Sequence, residues 1–151
     1  SGGDGASGTP YLIGDVYGPG INTNHPQDEI QNLISQAAKN DKVILENEGL
    51  APIYPAYIKD VIFAVNKVVF SQDQKQVYYL ISDPVQTALT VSYEIQSVLA
   101  QVANKDLGLF FSGSPAHRHQ SAQIDLGPGD LDFSPKFHLK EGLIATFQYL
   151  A

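Results

Sequence analysis

The chain has 151 residues, a formal net charge of −7, and no Cys, Met or Trp. A chain of this length usually folds as one domain, and it needs neither a disulfide nor a metal to close its core. The absence of cysteine excludes thiol nucleophiles, disulfides and thiolate-held metals. The 9 Lys and Arg against 16 Asp and Glu argue against nucleic acid and anionic membranes as partners.

The composition predicts two parts, a Gly/Ser-rich tail over residues 1–9 and a single β-rich domain over residues 10–151. No apolar run approaches the ~18 residues that a membrane span needs. Because the sequence starts at Ser1 and contains no Met, we interpret Ser1 as a processed end, with a lipid anchor upstream as one option. We therefore expect an extracellular, cell-surface, periplasmic or virion protein, and the amide-rich composition favours a mesophilic source.

In chain order, residues 11–17 predict a short strand that Gly18-Pro19-Gly20 ends. A helix is predicted over 26–40, because Pro26 suits its first turn and apolar residues recur at helical spacing. Residues 42–46 predict a strand. Residues 58–70 and 76–82, rich in branched and aromatic side chains, predict a hairpin.

Residues 84–104 support two interpretations. Leu89, Val91, Tyr93 and Ile95 alternate with polar residues, which favours a strand over 87–96. The pair Asp83-Pro84 and the spacing of the apolar residues also allow a helix over 84–104.

Further strands are predicted at 107–112, 121–126, 131–133 and 143–150, with Gly and Pro between them. Many short strands separated by such turns favour a mainly β fold: an antiparallel β-sandwich or barrel-like domain with one amphipathic helix near the N-terminus. The alternative is an α+β fold with a second helix at about 84–104.

Two groups of residues have the chemistry of metal ligands. His117 and His119 are two apart, so in a strand they would point to the same side. A tight turn nearby gathers Asp125, Asp130 and Asp132. Calcium or a transition metal is therefore an option, but neither group has a familiar ligand spacing. We predict no cofactor.

Tyrosines provide a possible recognition face, formed by Tyr54, Tyr57, Tyr78 and Tyr93. The chain ends on an apolar segment, and a terminal strand of this kind must be paired or buried. The predicted assembly residues are Tyr11, Ile13, Ile144, Phe147 and Tyr149.

Because no catalytic constellation is visible, we predict a non-enzymatic structural subunit, a filament or virion component that associates with copies of itself or with other subunits through its termini and β-edges. A surface or periplasmic lipoprotein with a Tyr-lined binding groove is the first alternative. A metal-dependent enzyme that uses the histidines and aspartates above is the second.

Overall fold

A computed structural model describes residues 11–70, 78–80, 84–113 and 138–151. Helices and short strands alternate along this part of the chain. The helices are α1 (Glu29–Asn40), α2 (Ile58–Val69), α3 (Ala88–Ala103) and α4 (Leu139–Leu150), with a 3₁₀ turn at Asn47–Gly49. The strands are β1 (Tyr11–Ile13), β2 (Asp15–Tyr17), β3 (Lys42–Leu45), β4 (Pro52–Ile53), β5 (Pro55–Tyr57), β6 (Tyr78–Leu80), β7 (Gln86–Thr87) and β8 (Gly108–Phe111).

The described strands form pairs, and three of the four pairs are parallel: β1 with β6, β2 with β5, and β3 with β8. Only β4 and β7 pair antiparallel. Parallel neighbours need a crossover between them, and α3 lies in the crossover from β3 to β8. The prediction of a mainly β, antiparallel sandwich or barrel is therefore wrong, because helices and parallel strands build this fold.

The predicted N-terminal helix is present as α1. Asp28 caps it by accepting a hydrogen bond from the Gln31 backbone N–H at 3.0 Å. Its apolar face, including Ile30, Leu33 and Ile34, is fully buried. Asp41 follows in the left-handed conformation, and the next strand begins directly after it.

The segment predicted as a strand over 87–96 is helix α3. Thr87 and Thr90 close a reciprocal capping box at its N-terminus, and Val91, Ile95 and Val98 pack into the core at helical spacing. The apolar residues of this segment fit the spacing of a strand and also that of a helix. The helix forms because the capping box and the buried face both favour it. The alternative of a second helix at about 84–104 described this segment correctly.

Two other predicted strands are helices. Residues 58–70 form α2 rather than one arm of a hairpin, although residues 78–80 are a strand as expected. Residues 143–150 belong to α4, where Leu143, Thr146 and Phe147 are buried one turn apart. The strands predicted at 121–126 and 131–133 lie outside the described residues.

Among the described residues, the buried apolar side chains form two clusters. The larger cluster joins α1, α3 and α4 to β2, β3 and β5, and it includes Tyr17, Tyr57 and Leu143. The smaller one contains Ala56, Val61 and Ala64, with Val16 and Val65 packed against it. Strand β2 therefore touches both clusters, since Tyr17 faces the larger one and Val16 the smaller.

Candidate functional site

The candidate site is a polar cleft of about 380 Å³ at the carboxyl end of β3. Helix α1 supplies three polar side chains on one face, and the end of β3 with the turn after it supplies the opposite wall. The lining residues are Glu29, Asn32, Gln36, Ile44, Glu46, Asn47, Ala51 and Ala88. In α/β sheets, the carboxyl ends of parallel strands are where ligands usually bind.

Helix α1 is fixed to β2 by a reciprocal set of hydrogen bonds around Val16. The Val16 N–H donates to Asp28 Oδ2 at 2.9 Å, and Gln31 Nε2 donates to the Val16 carbonyl at 2.8 Å. The N-terminal turn of α1, which carries Glu29, is thereby held at one position relative to β2.

The other wall of the cleft is attached to α1 as well. The Ile44 N–H donates to Gln36 Oε1 at 2.9 Å, which joins β3 to the third turn of the helix. At the strand end, the Ser112 N–H donates to the Leu45 carbonyl at 3.0 Å and continues the pairing of β3 with β8. Hydrogen bonds to both β8 and α1 therefore fix the end of β3, and Glu46 and Asn47 follow directly after it.

The cleft is strongly acidic. Burial raises the pKa of Glu29, and the nearby carboxylates of Glu46 and Asp15 raise it further. Burial likewise raises the pKa of Asp28, with Asp15 adding to the effect. Asp15 itself has a pKa raised by burial, although its Oδ2 accepts a hydrogen bond from the Tyr54 N–H at 2.8 Å. Glu29 and Glu46 line the cleft, with Asp15 and Asp28 beside it, and carboxylates attract hydroxyl, amino and N–H donors and repel phosphates.

The tyrosines of the predicted recognition face differ in exposure where the structure describes them, and the side chain of Tyr78 lies outside the described part. Tyr57 is 1% exposed and stacks edge-on against Tyr17, with ring centroids 5.4 Å apart. Tyr93, in contrast, lies exposed on α3. Tyr54 is half-buried in the chain between β4 and β5, and Tyr78 pairs with Tyr11 through the backbone of β1 and β6.

The predicted assembly residues at the C-terminus lie on a helix and not on a strand edge. Phe147 is buried, Ile144 is half-buried and Tyr149 is exposed. Tyr11 and Ile13 lie in β1, paired with β6. Self-association stays a prediction, but the terminal strand on which it depended is absent.

The predicted metal ligands His117, His119, Asp125, Asp130 and Asp132 lie outside the described residues. Within residues 11–70, 78–80, 84–113 and 138–151, no three acidic or His side chains are arranged to hold a metal ion. In the same ranges, no helix is long and apolar enough to cross a membrane.

Sequence reasoning missed the cleft residues Glu29, Asn32, Gln36 and Glu46. Glu29 lies in the first turn of α1, where a negative charge is already explained by the helix dipole. A usable signal was present, since Glu46 and Asn47 directly follow the apolar strand β3, and strand ends are where polar side chains form sites.

The described fold resembles solved sugar-nucleotide enzymes. UDP-glucuronic acid 4-epimerase from Bacillus cereus matches with a TM-score of 0.68 and 21% identity over 93% of this chain and 44% of that one. ADP-L-glycero-D-manno-heptose-6-epimerase from Helicobacter pylori gives 0.67 and 23%, over 93% and 43%. dTDP-glucose 4,6-dehydratase from Bacillus anthracis gives 0.65 and 19%, over 92% and 43%. No family model and no curated protein matches the sequence.

At these identities the likeness defines the fold, which is a Rossmann-like α/β fold. The chain spans less than half of each of these enzymes. The comparison contradicts the prediction of a non-enzymatic structural subunit with a β-sandwich, because the structural neighbours are epimerases and a dehydratase. The predicted location and the predicted self-association stay predictions. It also contradicts the prediction of no cofactor, because the first and third of these structures contain NAD.

The described residues do not fit the pyrophosphate of NAD. That group needs a glycine-rich turn from a parallel strand into a free helix N-terminus. Here Asp28 caps α1, the Thr87–Thr90 box closes α3, and α2 begins at the residue after β5. Helix α4 has no side-chain cap, but no described strand leads directly into it. Gly3, Gly5 and Gly8 have the Gly-x-Gly-x-x-Gly spacing, but the next described element is strand β1 rather than a helix.

Proposed function

We propose that this chain provides the sugar-nucleotide-binding part of an NAD-dependent enzyme of the epimerase or dehydratase type. The likeness in fold over more than nine-tenths of the chain carries the proposal. The polar cleft supports it, since it lies at a strand carboxyl end and offers carboxylate and amide acceptors for hydroxyl groups. NAD belongs to this function, and the described residues leave its binding to other parts of the enzyme.

The cleft has an apolar side that suits a sugar or nucleobase ring. Ile44 lines it and is 43% exposed, and Phe110, its register partner on β8, is 54% exposed. Apolar surface beside a few convergent polar groups is typical of small-molecule sites. Rings bind such surfaces through burial of their faces, while Glu46 and Asn32 accept or donate hydrogen bonds at the ring edge.

The charge of the cleft predicts which sugar it accepts. Glu29 and Glu46 would repel the carboxylate of a uronic acid, whereas the hydroxyl groups of a neutral hexose donate to them. We therefore propose a neutral sugar nucleotide as the ligand, with its phosphates outside the acidic cleft.

Calorimetric titration of the purified chain with UDP-glucose, UDP-glucuronic acid and UDP tests this function. We expect UDP-glucose to bind at least tenfold more tightly than UDP-glucuronic acid. Asn32→Ala should weaken UDP-glucose binding about tenfold, consistent with one lost hydrogen bond to a ligand. The matched control Asn66→Ala alters an exposed asparagine on α2 and should leave the affinity unchanged.

Equal affinity for all three compounds, or equal effects of Asn32→Ala and Asn66→Ala, would contradict the proposal. Glu46→Gln sharpens the test, because removal of one negative charge should narrow the preference for UDP-glucose over UDP-glucuronic acid. A preference unchanged by Glu46→Gln would show that the carboxylates do not set the specificity.

A further inference from the structure

The side chain of Gln36 is held in one orientation on the wall of the candidate cleft. The Ile44 backbone N–H donates to Gln36 Oε1 at 2.9 Å, and only the oxygen of an amide can accept that hydrogen bond. The orientation of the amide is therefore fixed. Both residues line the cleft, and among the described residues the Gln36 Nε2 group has no acceptor of its own. Gln36 therefore provides the cleft with N–H donors of defined direction.

The other polar side chains of the cleft act mainly as acceptors. Glu29 and Glu46 line it with their carboxylates. A side-chain hydrogen bond from Asn32 partly offsets the raised pKa of Glu29, which requires that the Asn32 NH₂ group faces that carboxylate. The Asn32 oxygen is then the end of this amide that a ligand can use. Asn32 lies one helical turn before Gln36, so the two amides lie on the same side of α1.

A donor of fixed direction among acceptors suits a hydroxyl group. A hydroxyl group can accept a hydrogen bond from Gln36 Nε2 and at the same time donate one to a carboxylate. The two hydrogen bonds strengthen each other, because each polarises the hydroxyl group. Hydroxyl groups of a sugar can therefore use both kinds of partner that the cleft offers.

A protonated amino group matches only half of this arrangement. The carboxylates of Glu29 and Glu46 attract its positive charge, but the group has only donors. At the position next to Gln36 it would leave the Nε2 donors unpaired and would bring a positive charge against them. Charge alone would make the cleft prefer an amino sugar, and the amide of Gln36 opposes that preference.

We infer that Gln36 is a specificity-determining residue of the cleft, which selects a ligand hydroxyl group and rejects a protonated amino group at the position that it contacts. This inference rests on the proposed function, because it deepens the preference for a neutral sugar. It assigns to one side chain the discrimination between two groups that the carboxylates both attract.

The isosteric variant Gln36→Glu tests the inference. Its Oε1 can still accept from the Ile44 N–H, whereas Oε2 replaces the donor by an acceptor. The ligands are UDP-glucose and a set of analogues, each with one hydroxyl of the glucose ring replaced by an amino group. Calorimetric titrations are made at about pH 7, where carboxylates are ionised and amines are protonated.

For at least one analogue, the wild-type chain should bind UDP-glucose about tenfold more tightly than the analogue, the size expected for one hydrogen bond. Gln36→Glu should reverse this preference. A second variant, Gln36→Met, removes the donor without adding a charge and should narrow the preference without reversing it. Circular dichroism checks that both variants keep the fold.

The matched control is Gln101→Glu, which makes the same change at an exposed position of α3 outside the lining of the cleft. It should leave the preference unchanged. NMR gives a direct measurement, since the side-chain NH₂ signals of Gln36 should shift when UDP-glucose binds and those of Gln101 should not.

Several outcomes would overturn the inference. One is a preference that Gln36→Glu leaves unchanged, or that Gln101→Glu changes to the same extent. Another is a wild-type chain that binds every amino analogue at least as tightly as UDP-glucose. Gln36 signals that no ligand shifts would also overturn it.

Methyl glucoside and its amino analogues, followed through the Gln36 signals, separate this inference from the proposed function. If UDP-glucose does not bind as expected but Gln36 still distinguishes the glycosides, the sugar-nucleotide assignment is wrong and the role of Gln36 stands. If UDP-glucose binds but Gln36→Glu leaves the preference unchanged, the ligand class stands and the role of Gln36 is wrong.

Discussion

The two sides of this molecule differ in how far they complete their own packing. Around α1, α3 and α4, large side chains such as Leu33, Ile95 and Leu143 are fully buried in one cluster. Around α2, the buried apolar cluster contains Ala56, Val61 and Ala64, while larger apolar residues of the same helix, such as Ile62 and Val69, are exposed. Within the described residues, the first side is therefore the main core, and the second is a small cluster beside an exposed surface that mixes apolar side chains with Lys59, Asn66 and Lys67.

This difference shows that the hydrophobicity of a helix and the burial of its side chains are separate properties. Helix α2 has several large apolar side chains that are more than half exposed, although the helix is as apolar as α3 and α4. The polar cleft lies on the first side, between α1 and β3, where two hydrogen-bonded walls hold it. The candidate ligand site therefore lies on the side with the larger buried core, and a rigid core of this kind holds the site residues in place.

The largest expected effect comes from opening the main core. Leu143→Ala removes a fully buried side chain and should destabilise the chain by about 2–5 kcal/mol. Ile62→Ala, on the exposed side of α2, should cost no more than about 0.5 kcal/mol. Urea unfolding followed by circular dichroism measures both. Similar losses for the two variants would show that α2 is as well packed as α4.

A smaller effect is expected where α4 meets β2, the strand that touches both clusters. A Cβ added at Gly142 would lie 2.8 Å from two carbons of the buried Tyr17 ring. Gly142→Ala should therefore destabilise by about 1–3 kcal/mol, although alanine is the better helix former by about 1 kcal/mol. The control Gln148→Ala, on the exposed side of the same helix, should be neutral or slightly stabilising. Stabilisation by Gly142→Ala would mean that Tyr17 moves aside freely.

The smallest effect concerns the charges of the cleft. Because the folded-state pKa of Glu29 is raised, the folded protein holds this proton more tightly, and stability falls as pH rises from about 4.3, the ordinary glutamate pKa, through the raised value. Glu46→Gln removes part of that repulsion, so the pKa of Glu29 should fall. The variant should gain a few tenths of a kcal/mol at pH 7, about the size expected for partly exposed charges.

The gain should vanish below about pH 4, where Glu29 is protonated in both proteins. Thermal melts from pH 3 to pH 8 and an NMR titration of Glu29 check this. Glu48→Gln removes another exposed charge two residues along the chain and serves as the control. An identical pH profile for the Glu46 and Glu48 variants would contradict the assigned repulsion.

Some elements could be predicted from the sequence and others were predicted wrongly. Both outcomes have physical reasons. Helix α1 was predictable because its acidic first turn, terminal lysine and apolar spacing agree. Segment 87–96 was not, because Leu89, Val91 and Ile95 satisfy the period of a strand and also that of a helix. Helices α2 and α4 contain many branched and aromatic residues, which favour strands until tertiary packing decides otherwise.

The candidate site was harder to predict than the fold, because its residues come from separate segments. Glu29 and Glu46 approach each other only when α1 packs beside β3, and strand pairing places β8 on the other side. A sequence shows neither the partner of a strand nor whether the pair is parallel. The polar residues Glu46 and Asn47, directly after β3, were the one signal in the sequence that indicated the site.

The pairing of the strands also bears on the order in which the chain folds. Each described parallel pair joins residues that are far apart in the sequence. Even the pair with the smallest separation, Asp15 with Pro55, forms only after the long segment between the two residues closes into a loop. The hydrogen bonds between Val16, Asp28 and Gln31 span only 12 to 15 residues. We expect β2 and α1 to associate early and the strand pairs to close late, so that the α1 wall of the cleft forms before the β3 wall, which depends on pairing with β8.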